Sequence, residues 1–200
     1  MMARIVLPLL AVLLGGGLLF KATDGLRAVT MEGARRIAVA ETQPAVPDVM
    51  LETMQGALVP LRSSGGETLL VEFVYTSCPV VCQLAASDFA EIRDRFSASG
   101  AKVRMISVSF DPQRDDPAAM AAYGEAHGAD GRIWTVARPR PGDLNRLLDV
   151  FGVTVIPDEW LGFEHNAAIH VIDGTGRLVS IFDTDAVDAV VSAVGGGGRS

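Results

Sequence analysis

The chain has 200 residues, 49% of them hydrophobic and 20% charged, with a formal net charge of -7. That balance suffices to bury a core and excludes an intrinsically disordered chain. The acidic balance, with no cluster of Lys and Arg, excludes nucleic acid as a partner. Two cysteines are too few for a disulfide-dense scaffold or a four-Cys zinc site, so whatever they do they do as one pair.

Arg4 precedes an uncharged, mostly apolar run over residues 5–20, closed by Lys21. As a helix, that run spans roughly 24 Å, slightly short of a bilayer core of about 30 Å. Residues 1–22 are therefore expected to form a signal anchor, a transmembrane segment. Leu19, Phe20, Lys21 and Ala22 make a poor small-x-small cleavage site, so an uncleaved anchor fits better than a cleaved signal peptide. The missing Arg-rich, Ser-rich leader argues for a bacterial protein held in the inner membrane by one pass, its globular part in the periplasm. Residues 23–44 lack a sustained period and read as a linker or a loosely docked strap.

Beyond the linker, residues 49–61, broken at Gln55 and Gly56, read as a hairpin. Residues 68–75 form an apolar, β-branched run suited to a buried central strand. Val81, Ala85, Phe89, Ile92 and Phe96 then recur at helical spacing. Residues 103–110 read as a second buried strand. Asp116 before Pro117 marks a helix start, and that helix stops at Gly128. A short strand is expected over 132–136 and a third helix over 143–151. Residues 168–173 and 177–182 flank Gly174, Thr175 and Gly176, a strong hairpin signal. A helix over 185–194 closes the domain, and residues 195–200 are a flexible Gly-rich tail. A β-α-β crossover followed later by a hairpin and a last helix is the thioredoxin-like order. The expected architecture is α/β: a central mixed sheet flanked by helices over residues 45–194, preceded by the anchor.

Cys78 and Cys82, with Pro79 between them, fall where the first buried strand meets the first helix. The free amides and dipole of a helix start favour thiolate, and a spacing of four directs both sulfurs to one side of a helical turn. Such a pair can close a disulfide, structural or redox-active, or hold one soft metal ion. A structural staple is the poorer reading, because so short a loop gains little from closure.

A metal needs a third ligand, and the chain has three histidines. His127 reads as a cation or donor at a helix C-terminus, and His170 as a packed strand residue. His165 lies in a loop leading into the 168–172 strand, which in a thioredoxin-like sheet sits across from the cysteine junction. Two thiolates and one imidazole suit copper, above all Cu(I). Asp111 and Asp115 read equally as cap and turn residues or as groups facing the site. Trp134 and Trp160 read as packing residues.

With its N-terminal segment, the phrase from Phe73 through Cys82, the phrase from Ser107 through Asp115, and His165 ahead of Ala168 to Gly174, the sequence resembles the SCO/SenC family of thioredoxin-like, membrane-anchored copper chaperones. The resemblance implies copper held by Cys78, Cys82 and His165. It also implies delivery of that copper to the copper-centre subunit of cytochrome c oxidase or another copper-accepting protein, or reduction of that centre's cysteines. Val80 and Gln83 stand where the family commonly has an acidic residue and a proline, and Glu164 where it has Asp. The alternative is an envelope thiol-disulfide oxidoreductase in which Cys78 attacks and Cys82 resolves, served by a thiol reductant.

Overall fold

The computed structural model describes residues 2–23, 25, 28, 30–62, 66–78, 81–158 and 162–196; the side chains of 2–5, 7–9, 11 and 81–84 lie outside that description. Two compact units divide it, Met1–Thr42 and Gln43–Ser200.

The first unit contains α1, Met2–Ala22, and α2, Met31–Thr42. Val12, Leu13, Leu14, Leu18, Leu19 and Phe20 of α1 are all exposed. Among the described residues no helix is long and apolar enough to cross a membrane. Helix α2 replaces most of the expected linker. Thr30 starts it by accepting a hydrogen bond from Gly33 N–H at 3.0 Å, the signature of an N-cap. Glu32 then bonds Arg35 and Arg36. Burial opposes the Glu32 charge, but the two guanidiniums outweigh it and hold the carboxyl at about 2. Caps and i,i+4 pairs made this helix where apolar periodicity gave no sign of it.

In the second unit the strands are β1 (Met50–Thr53), β2 (Leu58–Pro60), β3 (Thr68–Val74), β4 (Val103–Ser109), β5 (Trp134–Pro139), β6 (Val155–Asp158), β7 (Gly162–His165), β8 (Ile169–Ile172) and β9 (Leu178–Phe182). The helices are α3 (Val81–Ser99), α4 (Pro117–His127), α5 (Pro141–Phe151) and α6 (Val187–Gly196). Seven strands form one mixed sheet in the order β2-β1-β5-β4-β3-β8-β9. The crossover through α3 makes β3 and β4 parallel, and the β8–β9 hairpin adds the antiparallel edge, as the element order requires.

Alternation along β3 sorts its side chains by face. Leu70 and Val74 join Phe89, Ile92 and Phe96 of α3, Met120 of α4, Trp134 of β5 and Val190 of α6 in one buried core. Phe73, from the other face, packs edge-on against Phe151 of α5 at 5.1 Å. Each such side chain contributes on the order of 1.5–3 kcal/mol. Helix α4 starts as expected, Asp116 accepting from Ala119 N–H at 2.8 Å, and ends at Gly128 in the left-handed conformation.

One expectation is corrected. Residues 162–165 are not a loop: β7 pairs antiparallel with β6 as a separate two-stranded sheet, Val155 opposite His165. Pro157 within β6 masked the strand pattern; a two-stranded edge tolerates proline where a central strand would not.

Candidate metal centre

Strand β3 ends at Val74 and the chain turns through Tyr75, Thr76 and Ser77 to Cys78, whose N–H donates to Tyr75 O at 3.3 Å. This turn is gripped from below. Asp115, 1% exposed, accepts from Thr76 N–H at 3.1 Å, from the Thr76 hydroxyl at 2.6 Å and from the Ser109 hydroxyl at 2.6 Å. Arg138 holds the segment carrying Asp115 from behind, donating to Pro112 O and Asp115 O while paired with Glu52. Asp115 is thus a buried anchor of the cysteine turn. Asp111 instead pairs with Arg114, whose guanidinium lies over the Phe163 ring at 5.2 Å.

The histidine arrives on β7. The two-residue period puts Phe163 and His165 on one face and leaves Glu164 exposed. Phe163 packs against Tyr75 at 5.2 Å and Phe110 at 5.5 Å, and His165 against Phe110 at 4.9 Å. Tyr75 and Phe110 also touch, at 5.3 Å, so an aromatic cluster ties the β6–β7 hairpin to the end of β3 that launches the cysteine turn. Gly162 completes the fit, since a Cβ there would lie 3.3 Å from the Tyr75 ring. Asn166 secures the base of the hairpin, donating to Gly152 O at 3.0 Å and accepting from Thr154 N–H at 2.7 Å.

His165 is half-buried, and its Nδ1 is buried without a hydrogen-bond partner. Burial pushes the imidazole below its ordinary value, which favours the neutral form a metal needs. The ring lines a small enclosed cavity together with Ala85 of α3, one turn beyond Cys82, and Glu72 of β3. His165 therefore sits at the start of the cysteine helix. Cys78 is disulfide-bonded. The side chain of Cys82 and all of Pro79, Val80 and Trp160 lie outside the described residues, as does the side chain of Gln83. Among the described residues no three His, Cys, Asp or Glu are grouped to hold a metal.

The other two histidines are elsewhere. His170 is fully buried between Phe73 and Phe151, its Nδ1 3.1 Å from Val71 O. His127, in the last turn of α4, packs against Tyr123 at 4.4 Å, and burial lowers its pKa, which favours the expected donor over the cation. Trp134 is buried core, its Nε1–H donating to Ser107 at 2.8 Å.

One buried group has no counterpart among the expected site residues. Glu72, 3% exposed, faces the same side of β3 as Leu70 and Val74. Burial raises its carboxyl to about 8 despite a 2.5 Å hydrogen bond from Ser107. A lone Glu within an otherwise apolar central strand was the available signal.

Fold and site together define a thioredoxin-like protein in which a histidine hairpin packs against the end of the strand that leads into a cysteine-bearing helix. A model of the SCO1/SenC family matches residues 39–194, and the chain belongs to that family. It is 32% identical over 66 residues to the SCO1 protein homolog of Bacillus subtilis, and 23% identical over 124 residues to the SCO2-like protein of Rickettsia conorii. These matches span 33% and 60% of this chain, and 34% and 60% of those relatives' own lengths. Among solved structures, ScoI of Bradyrhizobium japonicum with copper bound superposes with a TM-score of 0.61 at 24% identity, covering 76% of this chain and 99% of that one. ScoI of Arabidopsis thaliana with copper bound gives 0.64 at 19% identity, covering 76% and 99%. BsSco, a member of the Sco family of cytochrome c oxidase assembly proteins with an identified disulfide switch, gives 0.69 at 20% identity, covering 78% and 94%.

Proposed function

We propose that this chain carries copper as Cu(I) on Cys78, Cys82 and His165 and passes it to the copper-centre subunit of cytochrome c oxidase during assembly. The observation that carries the reading is the place of His165, whose ring lines one small cavity with Ala85 of α3, one turn beyond Cys82. Two soft thiolates and a neutral imidazole match Cu(I), whereas zinc wants a fourth ligand. The copper-bound ScoI structures support the same cargo. Ligand exchange releases it, acceptor thiolates entering as Cys78 and Cys82 leave. The exposed apolar side chains of α1 and the uncharged run that contains them support a membrane tether, with the second unit in the periplasm.

A second reading rests on the disulfide at Cys78. With Cys82 the only other cysteine, the pair is reduced by two electrons and two protons from a thiol reductant before it can take Cu(I). The same exchange run toward an acceptor's disulfide, Cys78 attacking and Cys82 resolving, would reduce that acceptor.

An anaerobic Cu(I) titration of the reduced full-length chain against a competing chelator tests the first reading. One equivalent bound tightly, with clear loss in His165→Ala, is expected. Binding indifferent to His165 overturns the three-ligand site and leaves thiol exchange, which Cys78→Ser abolishes and His165→Ala leaves intact.

A further inference from the structure

A buried ring nitrogen without a partner costs about 1–3 kcal/mol, and metal-binding histidines nearly always give their second nitrogen to a carboxylate, carbonyl or water. His165 Nδ1 has no such partner among the described residues. The cavity it borders has room for about one water. Among the described residues, apart from Thr184, which is half-buried, the only other side chain lining that cavity with a polar atom is Glu72. Ser107 donates to Glu72 Oε1 at 2.5 Å and itself receives Trp134 Nε1–H at 2.8 Å. Those bonds hold the carboxyl in one orientation and leave Oε2 without a partner among the described residues.

Building on the copper reading, we infer that Glu72 is a positioning residue for His165. One water in the cavity accepts a hydrogen bond from His165 Nδ1–H and donates one to Glu72 Oε2. The link keeps the imidazole proton on Nδ1, so Nε2 is the nitrogen offered to the metal, and it stops the ring from turning about its axis. Burial keeps Glu72 largely neutral at neutral pH; in that state its proton sits on Oε1 and is shared with the Ser107 hydroxyl 2.5 Å away, so Oε2 is the carbonyl oxygen and accepts from the water as it does when the carboxylate is ionised. Gln in its place also accepts, and Leu does not.

The test reads the His165 tautomer by 15N NMR in the metal-free full-length chain, with Cu(I) affinity measured separately by chelator competition. The wild-type chain is expected to hold its proton on Nδ1. Glu72→Gln should keep that tautomer and the affinity. Glu72→Leu should lose the bias and weaken Cu(I) binding by roughly ten- to a hundredfold, while Thr184→Val changes neither. A wild-type proton on Nε2 overturns the inference without any variant. So does a wild-type tautomer retained in Glu72→Leu, or a loss reproduced by Thr184→Val. A tautomer that follows Glu72 in a chain unable to bind Cu(I) supports the positioning role and sinks the copper reading alone.

Discussion

Asp115 and Thr76 lie 39 residues apart and share two hydrogen bonds, one to the backbone N–H and one to the hydroxyl. Together they fix the turn that ends β3 and presents Cys78. A carboxylate that serves three donors at once, two part-buried on Thr76 and one fully buried on Ser109, is hard to replace, because an abandoned buried donor costs about 1–3 kcal/mol. Asp115→Ala should therefore lower unfolding free energy by about 2–4 kcal/mol and weaken Cu(I) binding, with Asp115→Asn losing less. Urea denaturation beside chelator competition measures both. A stability unchanged in Asp115→Ala would remove Asp115 from the support of the site.

Gly162 adopts φ +89° against the Tyr75 ring, so a methyl there meets both backbone strain and a side chain that must give way. Gly162→Ala should cost about 1–2 kcal/mol and speed hydrogen exchange at the β7 amides. Gly142, inside α5 with nothing within 4 Å of a Cβ, is the matched control. Gly142→Ala should be neutral or stabilising by up to about 1 kcal/mol. Equal effects at the two positions would mean the hairpin docks without needing Gly162.

Phe110 touches Tyr75, Phe163 and His165 and is the common wall of the aromatic cluster. Phe110→Ala should cost about 3–5 kcal/mol and loosen His165, whereas Phe110→Leu should cost less. Thermal melts give the stability, and the Cu(I) affinity of the two variants should follow the same order. An Ala variant that binds as tightly as the wild type would show that the cluster does not seat His165.

The central strands, the crossover, the Asp116 cap and the β8–β9 hairpin were legible because each carries a local signature: apolar runs, cap residues, paired glycines. Cys78 and His165 were legible as residue types at telling positions. What the sequence hid is tertiary. Nothing local says that Phe163 and His165 share a face against Phe110, that Asp115 reaches back to Thr76, or that β6 pairs with β7 despite Pro157. Helix α2 was missed because its support comes from Thr30 and Glu32 rather than from an apolar stripe. Glu72 stood in plain sight, but its meaning depends on Ser107 and Trp134 arriving from two other strands.

Glu72 also sets a pH dependence of stability. Its carboxyl titrates at about 8 in the fold against an ordinary 4.5, so between those values the folded chain binds a proton that the unfolded chain has released. Stability from this group is fully present below about pH 4.5, falls as pH rises by at most about 1.4 kcal/mol per unit, and levels off above about pH 8. Glu72→Gln is neutral throughout and lacks this slope. From about pH 5.5 to about pH 7.5 the unfolding free energy of Glu72→Gln should gain on the wild type by about 2–3 kcal/mol. Urea denaturation of both proteins across that range measures the difference. A difference independent of pH would mean that Glu72 is ionised in the fold, with a cation or further donors satisfying it in place of a proton.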